Sequence, residues 1–383
     1  MPRESCGNDG AQPSSTSVPV AAPPGETPTG TTAHSATSAT ATVHLFLVIV
    51  HPRAQFTTTT TAPLGSRDMA ARVPYDEFSM FADNAQEYGI AYPGPPTVRR
   101  ESVEVGGGRR MSALVWASRS GDTDPQLVFL HGGAQNAHTW DTVVLALDVA
   151  CVCIDLPGHG HSDSAAPFAE GAGPLAQNAD DMAMVIRRLA PNARAVVGMS
   201  LGGLTSLGLS HRYPDIVRRL VLVDITPGVN QEKTKQITDF VNGPATFPSF
   251  EELLERTIQF NPTRTEASLR RGILHNALQL DDGSWVWRYR RNDAPPLPEM
   301  KEQVSERPSM NPLWDAVSAW GGSGKPLMFV RGMRPQSVVG DDDEAELVRR
   351  VPGTRVEHVT EAGHSVQGDQ PVLLADLIRG FAL

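Results

Sequence analysis

From residue 98 onward the chain alternates short runs that are apolar throughout with longer stretches in which apolar residues return every third or fourth position. QLVFL (126–130), ACVCID (150–155), ARAVVGM (193–199), RLVLVDI (219–225), KPLMFV (325–330) and TRVEHV (354–359) are of the first kind. Each is bounded by turn-forming residues, the mark of a strand buried on both faces. VRRESVEV (98–105) and MSALVWAS (111–118) flank GGGRR and predict two antiparallel strands around a glycine turn. TWDTVVLALD, NADDMAMVIRRLA, LGGLTSLGLSHRYP and DDEAELVRRVPG carry the helical spacing between those strands, and two of them end at Pro or Gly. This alternation predicts an α/β fold with a mostly parallel sheet of eight strands and helices on both faces. Ligands of such a sheet bind at the carboxyl ends of its strands.

The rhythm stops between residues 229 and 318. QEKTKQITDFVNG, SFEELLERTIQF and RTEASLRRGILHNALQL read as helices, followed by DDGSWVWRYRRND, a turn with clustered aromatics. A mainly helical insertion here would sit over the strand ends as a cap. Trp285, Trp287 and Trp314 either line a cavity beneath it or form its core. The domain reading is therefore a tail over 1–73, core over 74–228, cap over 229–318 and core again over 319–383. The tail is rich in Ser, Thr, Ala, Pro and Gly and cannot bury enough apolar surface to offset chain entropy. Its one apolar run, LFLVIV (45–50), is too short to cross a bilayer and lacks a basic flank immediately before it. Met69 opens the stretch where ordinary globular composition resumes and is the expected natural start of translation.

Charge and cysteine usage narrow the function. With 33 Lys and Arg against 43 Asp and Glu, the net charge of -10 gives no electrostatic case for nucleic acid or an anionic membrane surface. A small neutral or apolar molecule is the expected partner, without stable membrane insertion. Nothing in the pattern specifies an oligomeric state. Of the three cysteines, Cys6 lies in the tail, while Cys151 and Cys153 should share one face of a strand as buried thiols. Neither a disulfide framework nor a metal site is expected from them, and the location expected is cytoplasmic.

Candidate chemistry centres on AVVGMSLGG (195–203), where an apolar run meets a serine between glycines. Gly198-Met199-Ser200-Leu201-Gly202 matches G-x-S-x-G, a strand-to-helix turn that lifts a nucleophilic serine hydroxyl out of the sheet. Acyl transfer further needs a base, an acid that orients the base, and donors for the oxyanion. His364, in EAGHSVQGDQP after the last strand, is the candidate base and stands where the chain order Ser, Asp or Glu, His requires it. His131, His138, His159, His161 and His211 read as turn or surface residues. The N–H groups of Leu201 and of Gly133, in the loop HGGAQNAHTW, are the candidate oxyanion donors.

LHGG (130–133), DLPGHGHSD (155–163), GMSLGG (198–203), LVLVDITP (220–227) and AGHSVQGDQP (362–371) together resemble the α/β-hydrolase superfamily, in its order, from about residue 98 to the end. HGGAQNAHTWDTV, the WVWRY segment and GHSVQGDQP are closer still to a branch of capped actinobacterial carboxylesterases. That resemblance implies ester hydrolysis by a serine nucleophile through an acyl-enzyme, with no metal or organic cofactor, and a structural role for Asp155, His159 and His161. One departure stands out. Many members carry the triad acid after the seventh strand in a G-x-x-D pattern, but that loop reads RGMRPQSVV, with Pro335 where Asp is expected. Asp224, ending RLVLVDI, is the other position from which relatives supply the acid and is the favoured candidate. Asp341, Asp342 and Asp343 compete for the role, though acids opening a helix are explained by its dipole. The alternatives are a related hydrolase acting on a lactone, thioester, N-terminal amide or carbon–carbon bond, or a non-catalytic module that holds a small molecule.

Overall fold

In a computed structural model that describes residues 72–164, 174–229, 231–289 and 311–383, the apolar runs pair into one eight-stranded sheet. In chain order its first six strands are β1 (Val98–Val105), β2 (Arg109–Trp116), β3 (Leu127–Leu130), β4 (Cys151–Ile154), β5 (Ala195–Met199) and β6 (Leu220–Val223). Three short strands of a separate sheet come next, β7 (Thr246–Phe247), β8 (Ala277–Gln279) and β9 (Trp285–Trp287), before β10 (Leu327–Gly332) and β11 (Arg355–Val359) complete the main sheet. The main order is β1-β2-β4-β3-β5-β6-β10-β11. β2 pairs antiparallel with β1 and β4, and every other neighbouring pair is parallel. The chain turns outward in both directions from β3, so the switch point lies between β3 and β5, where Leu130 faces Gly198.

The helices are α1 (Phe81–Glu87), α2 (Asp141–Leu147), α3 (Pro174–Leu189), α4 (Leu201–Arg212), α5 (Gln231–Val241), α6 (Phe250–Phe260), α7 (Glu266–Asn276), α8 (Asn311–Ser323), α9 (Asp341–Arg350), α10 (Val366–Asp369) and α11 (Pro371–Ala382). Strand pleating divides the core between two faces. Val152 and Ile154 of β4 join the cluster under α3, α4, α8 and α9, while Cys151 and Cys153 join the one under α1, α2 and α11. Both thiols are buried and free, and burial pushes that of Cys153 well above its ordinary range.

The segment expected to form the cap is mainly helical among the described residues but also carries a small sheet. α5, α6 and α7 form as the apolar spacing predicts, but β7, β9 and β8 make a three-stranded antiparallel sheet beside them. Strands of two or three residues are too short to display an alternating pattern. The available signal was Asp282-Gly283 between LQL and WVW, a hairpin turn that a reading based on aromatic clustering passes over. Trp285 and Trp287 pack with Phe247, Phe250, Leu253 and Ile273 in a hydrophobic cluster of the cap's own. Trp314 lies elsewhere, on α8, packed against the main core with the Arg350 guanidinium 5.0 Å above its ring. Residue 318, the expected end of the cap, falls inside α8, a helix that packs on α4. At the other end, Arg72 pairs with Asp281 at 2.5 Å and the Val73 N–H donates to Gln279 Oε1 at 2.8 Å, so these two residues are held to β8 and the turn that follows it. LFLVIV, Met69 and residues 290–310 lie outside the described residues.

Candidate active site

Ser200 stands between the last residue of β5 and the first of α4, with φ 51° and ψ -119°. A non-glycine residue there is strained, and the strain holds only because the surroundings leave no alternative. The neighbouring glycines supply the room. A Cβ on Gly198 would strike the Gly202 carbonyl and Ser206 Oγ, and one on Gly202 would strike the Leu130 and His131 carbonyls. The missing side chain at Gly198 thus lets α4 start close against β5, and the one at Gly202 lets it press against the end of β3.

Asp224 occupies the equivalent place at the end of β6, again with positive φ, 47°. It is fully buried, and its carboxylate is saturated. Oδ1 accepts from the Gly332 N–H at 3.0 Å and the Ser337 hydroxyl at 2.6 Å; Oδ2 accepts from the Val338 N–H at 3.1 Å and is 2.9 Å from His364 Nδ1. A carboxylate facing Nδ1 fixes the tautomer that carries its proton there and leaves Nε2 as the basic nitrogen. Three of the four donors come from β10 and the loop after it, the RGMRPQSVV segment. The loop that lacks an acid thus supplies the socket for an acid on the next strand. His364 is held in turn: the Gly363 N–H donates to Asp369 Oδ2 at 2.8 Å, and Gly363 packs closely on Gly332.

The five residues singled out from the sequence lie on the carboxyl side of neighbouring strands. His364 and Asp224 are in direct contact, whereas the Ser200 hydroxyl makes no hydrogen bond to the ring among the described residues. Gly133 and Leu201 flank the elbow, and no described residue takes up either N–H. The Gly132 N–H, by contrast, is given to Gln135 Oε1 at 3.0 Å. Asp341, itself exposed, pairs with the buried Arg331, and Asp343 caps the start of α9 through the Gly340 N–H at 2.9 Å, as a helix dipole favours.

Three of the histidines read as turn or surface residues are buried. His131 Nδ1 is 2.7 Å from the Gly132 carbonyl and Nε2 accepts from the Leu156 N–H, and burial pushes its pKa down to about 3, so it stays neutral. His159 Nε2 accepts from the Ala134 N–H at 3.1 Å. His138 lies in a polar network that sequence distance concealed. Its Nδ1 is 2.8 Å from Asp141 Oδ2 and its Nε2 3.0 Å from Glu77 Oε1, while Arg100 bridges Glu77 and Asp155. Burial opposes the charge on His138, but the Asp141 carboxylate and the hydrogen bonds that the ring donates to Asp141 and Glu77 outweigh it and raise the pKa to about 9. Glu77 is lowered to about 2: burial opposes that shift, and His138 and Arg100 outweigh it. Only the His138-x-x-Asp141 spacing was a local trace of this network.

His138, Asp141 and His275 offer donor atoms within 4.8 Å of one another, a set of metal-ligand types. A metal takes the lone pair in the plane of an imidazole ring. The rings of His138 and His275 are stacked 3.8 Å apart at 11°, so one ion cannot lie in both planes. Both nitrogens of His138 also face carboxylates. The arrangement is that of an ion-pair network and not of a preformed metal centre.

Residues 127–377 match the family described as the alpha/beta hydrolase family. The chain is 41% identical to the esterase Rv0045c of Mycobacterium tuberculosis over 80% of this chain and 95% of that protein. It is 26% identical to 2-(acetamidomethylene)succinate hydrolase of Mesorhizobium japonicum over 69% of this chain and 90% of that one. A crystal structure of the Mycobacterium tuberculosis esterase aligns with a TM-score of 0.63, covering 81% of this chain and 99% of that one. Another structure of the same esterase, TM-score 0.63, is described together with its transition-metal inhibition.

Proposed function

The chain belongs to the α/β-hydrolase family, and on that premise we propose that it is a serine hydrolase cleaving carboxylic esters of small molecules. The reading is carried by the buried Asp224–His364 pair beside a strained Ser200 at the switch point of the sheet. His364, oriented by Asp224, takes the Ser200 proton as the hydroxyl attacks the ester carbonyl; the Oγ-to-imidazole contact tightens when substrate is engaged. The Gly133 and Leu201 N–H groups receive the charge that develops on the carbonyl oxygen. The imidazolium then protonates the leaving alcohol, and water, activated by the same histidine, releases the acyl group. The socket around Asp224 supports its reading as the acid in a chain that has Pro335 where an acid after the seventh strand is expected. We place the activity in the cytoplasm, in keeping with the cysteine usage. Among the described residues no helix is long and apolar enough to cross a membrane.

The test is hydrolysis of p-nitrophenyl esters, from short to long acyl chains, by the wild type and Ser200→Ala in parallel. Turnover lost in the variant supports the proposal and its chain-length profile sizes the acyl site. Turnover that survives the substitution, or none on any ester, overturns it.

A further inference from the structure

Ala134 lies in the loop that carries Gly133, and its backbone is in the left-handed region, φ 60°. Unlike glycine, alanine does not adopt this conformation freely, so neighbouring groups must hold it. They do so from opposite sides. Its N–H donates to His159 Nε2 in the main domain, and its carbonyl accepts from Asn276 Nδ2 at 2.6 Å. Asn276 is the last residue of α7, so this second partner belongs to the cap. The Asn276 amide is itself oriented, because its Oδ1 accepts from Asn136 Nδ2 at 3.2 Å, and the same Asn136 nitrogen donates to the His275 carbonyl at 3.0 Å. The Asn276 carbonyl accepts from the Arg288 N–H at 2.8 Å, which ties it to the end of β9. The Ala134 side chain, meanwhile, packs against the cap's own hydrophobic cluster.

The peptide that follows Gly133 is therefore held by His159, and the one after it, through the Ala134 carbonyl, by Asn276 at the end of α7. We infer that Asn276 is a positioning residue through which the cap holds the Gly133 N–H in line with the reacting carbonyl. The inference rests on the proposed ester hydrolysis, since it concerns a donor used in that reaction. An N–H aimed at developing charge acts in the transition state and contributes little to holding the ground-state ester. Loosening it lowers kcat and leaves KM almost unchanged, whereas a general loosening of the cap raises KM for substrates that fill the space beneath it.

Asn276→Asp keeps the size and the acceptor for Asn136 but sets a carboxylate against the Ala134 carbonyl. Asn276→Ser removes the reach without adding a charge and keeps the measurement available if the first variant does not fold. Each is assayed for kcat and KM on a short p-nitrophenyl ester, and for inhibition by an alkyl boronic acid, which becomes a tetrahedral anion on a serine hydroxyl. The expected result is a fall in kcat of about ten- to a hundred-fold, a KM within about two-fold of wild type and boronate affinity weakened in step with kcat. An unchanged kcat, or a rise in KM with kcat and boronate binding preserved, overturns the assignment. Wild-type turnover that does not depend on Ser200 would instead remove the parent reading, so the two failures are told apart by the Ser200→Ala control.

Discussion

Ser200 and Asp224 follow partnered positions on adjacent parallel strands, Met199 opposite Val223, and both leave the sheet with left-handed φ, 51° and 47°. The Ser200 N–H reaches back to the Val223 carbonyl at 3.4 Å, and the Asp224 N–H to Val330 at 2.8 Å on the far side. The proposed nucleophile and the proposed acid are thus placed by the register of two strands.

Asp224→Asn tests that arrangement. The variant keeps its shape but loses the charge that orients His364, and its amide meets three donors where the carboxylate had accepted. Turnover of a p-nitrophenyl ester is expected to fall by about 10³- to 10⁴-fold in kcat. Steady-state kinetics on the folded variant check it, and activity within ten-fold of wild type would move the acid elsewhere.

Ser337→Ala removes one donor from the Asp224 socket and leaves the triad candidates intact. A hydrogen bond to a buried carboxylate contributes about 1.5–3 kcal/mol, so urea denaturation should show a loss of that order. Activity should fall modestly with it. No change in either would mean that water or a backbone shift replaces the hydroxyl without cost.

The strain at Ser200 predicts a divergence between stability and activity. Ser200→Gly relieves backbone strain of roughly 1–3 kcal/mol, offset in part by about 0.4–1 kcal/mol of added freedom in the unfolded chain. The variant should be inactive yet melt higher than the equally inactive Ser200→Ala. A lower melting temperature for the glycine variant would argue against stored strain.

The His138–Glu77 pair has its own dependence on pH. The folded pKa of His138 is raised from 6.5 to about 9, so its contribution to stability is complete below pH 6.5 and is lost as pH rises through about 9. The folded pKa of Glu77 is lowered from 4.5 to about 2, so its contribution is complete above pH 4.5 and is lost as pH falls towards 2. Melting curves of the wild type and His138→Gln should therefore differ most between pH 4.5 and 6.5 and converge towards pH 9. A difference independent of pH would assign His138 a packing role alone.

The eight main strands were legible because each central one is apolar along its whole length, and β3 to β6 are buried at every position. The order of motifs along the chain likewise carried the family. What escaped was structure made by residues distant in the chain or by very short elements. The network around His138 draws on positions 77, 100, 141 and 275, and no local window contains them. Asp224 was readable as a strand-end acid, but its socket was not, because Ser337 and Val338 lie in a loop whose sequence advertises only a missing acid. The link from Asn276 to Ala134 joins a helix end to a loop 142 positions earlier, with no pattern connecting them.

The described residues ahead of the sheet, 72–97, look expendable, since they add one helix and no strand. Yet Glu77 is the counter-charge for both Arg100 and His138. A chain trimmed back to Val98 would keep every strand and leave two cations inside with fewer anions than they need. Breaking a fully buried ion pair by removing one partner costs about 3–5 kcal/mol, and a partly exposed one less, still a noticeable share of the 5–15 kcal/mol that holds an ordinary domain together. Charge balance inside the sheet thus depends on a residue some twenty positions before the first strand.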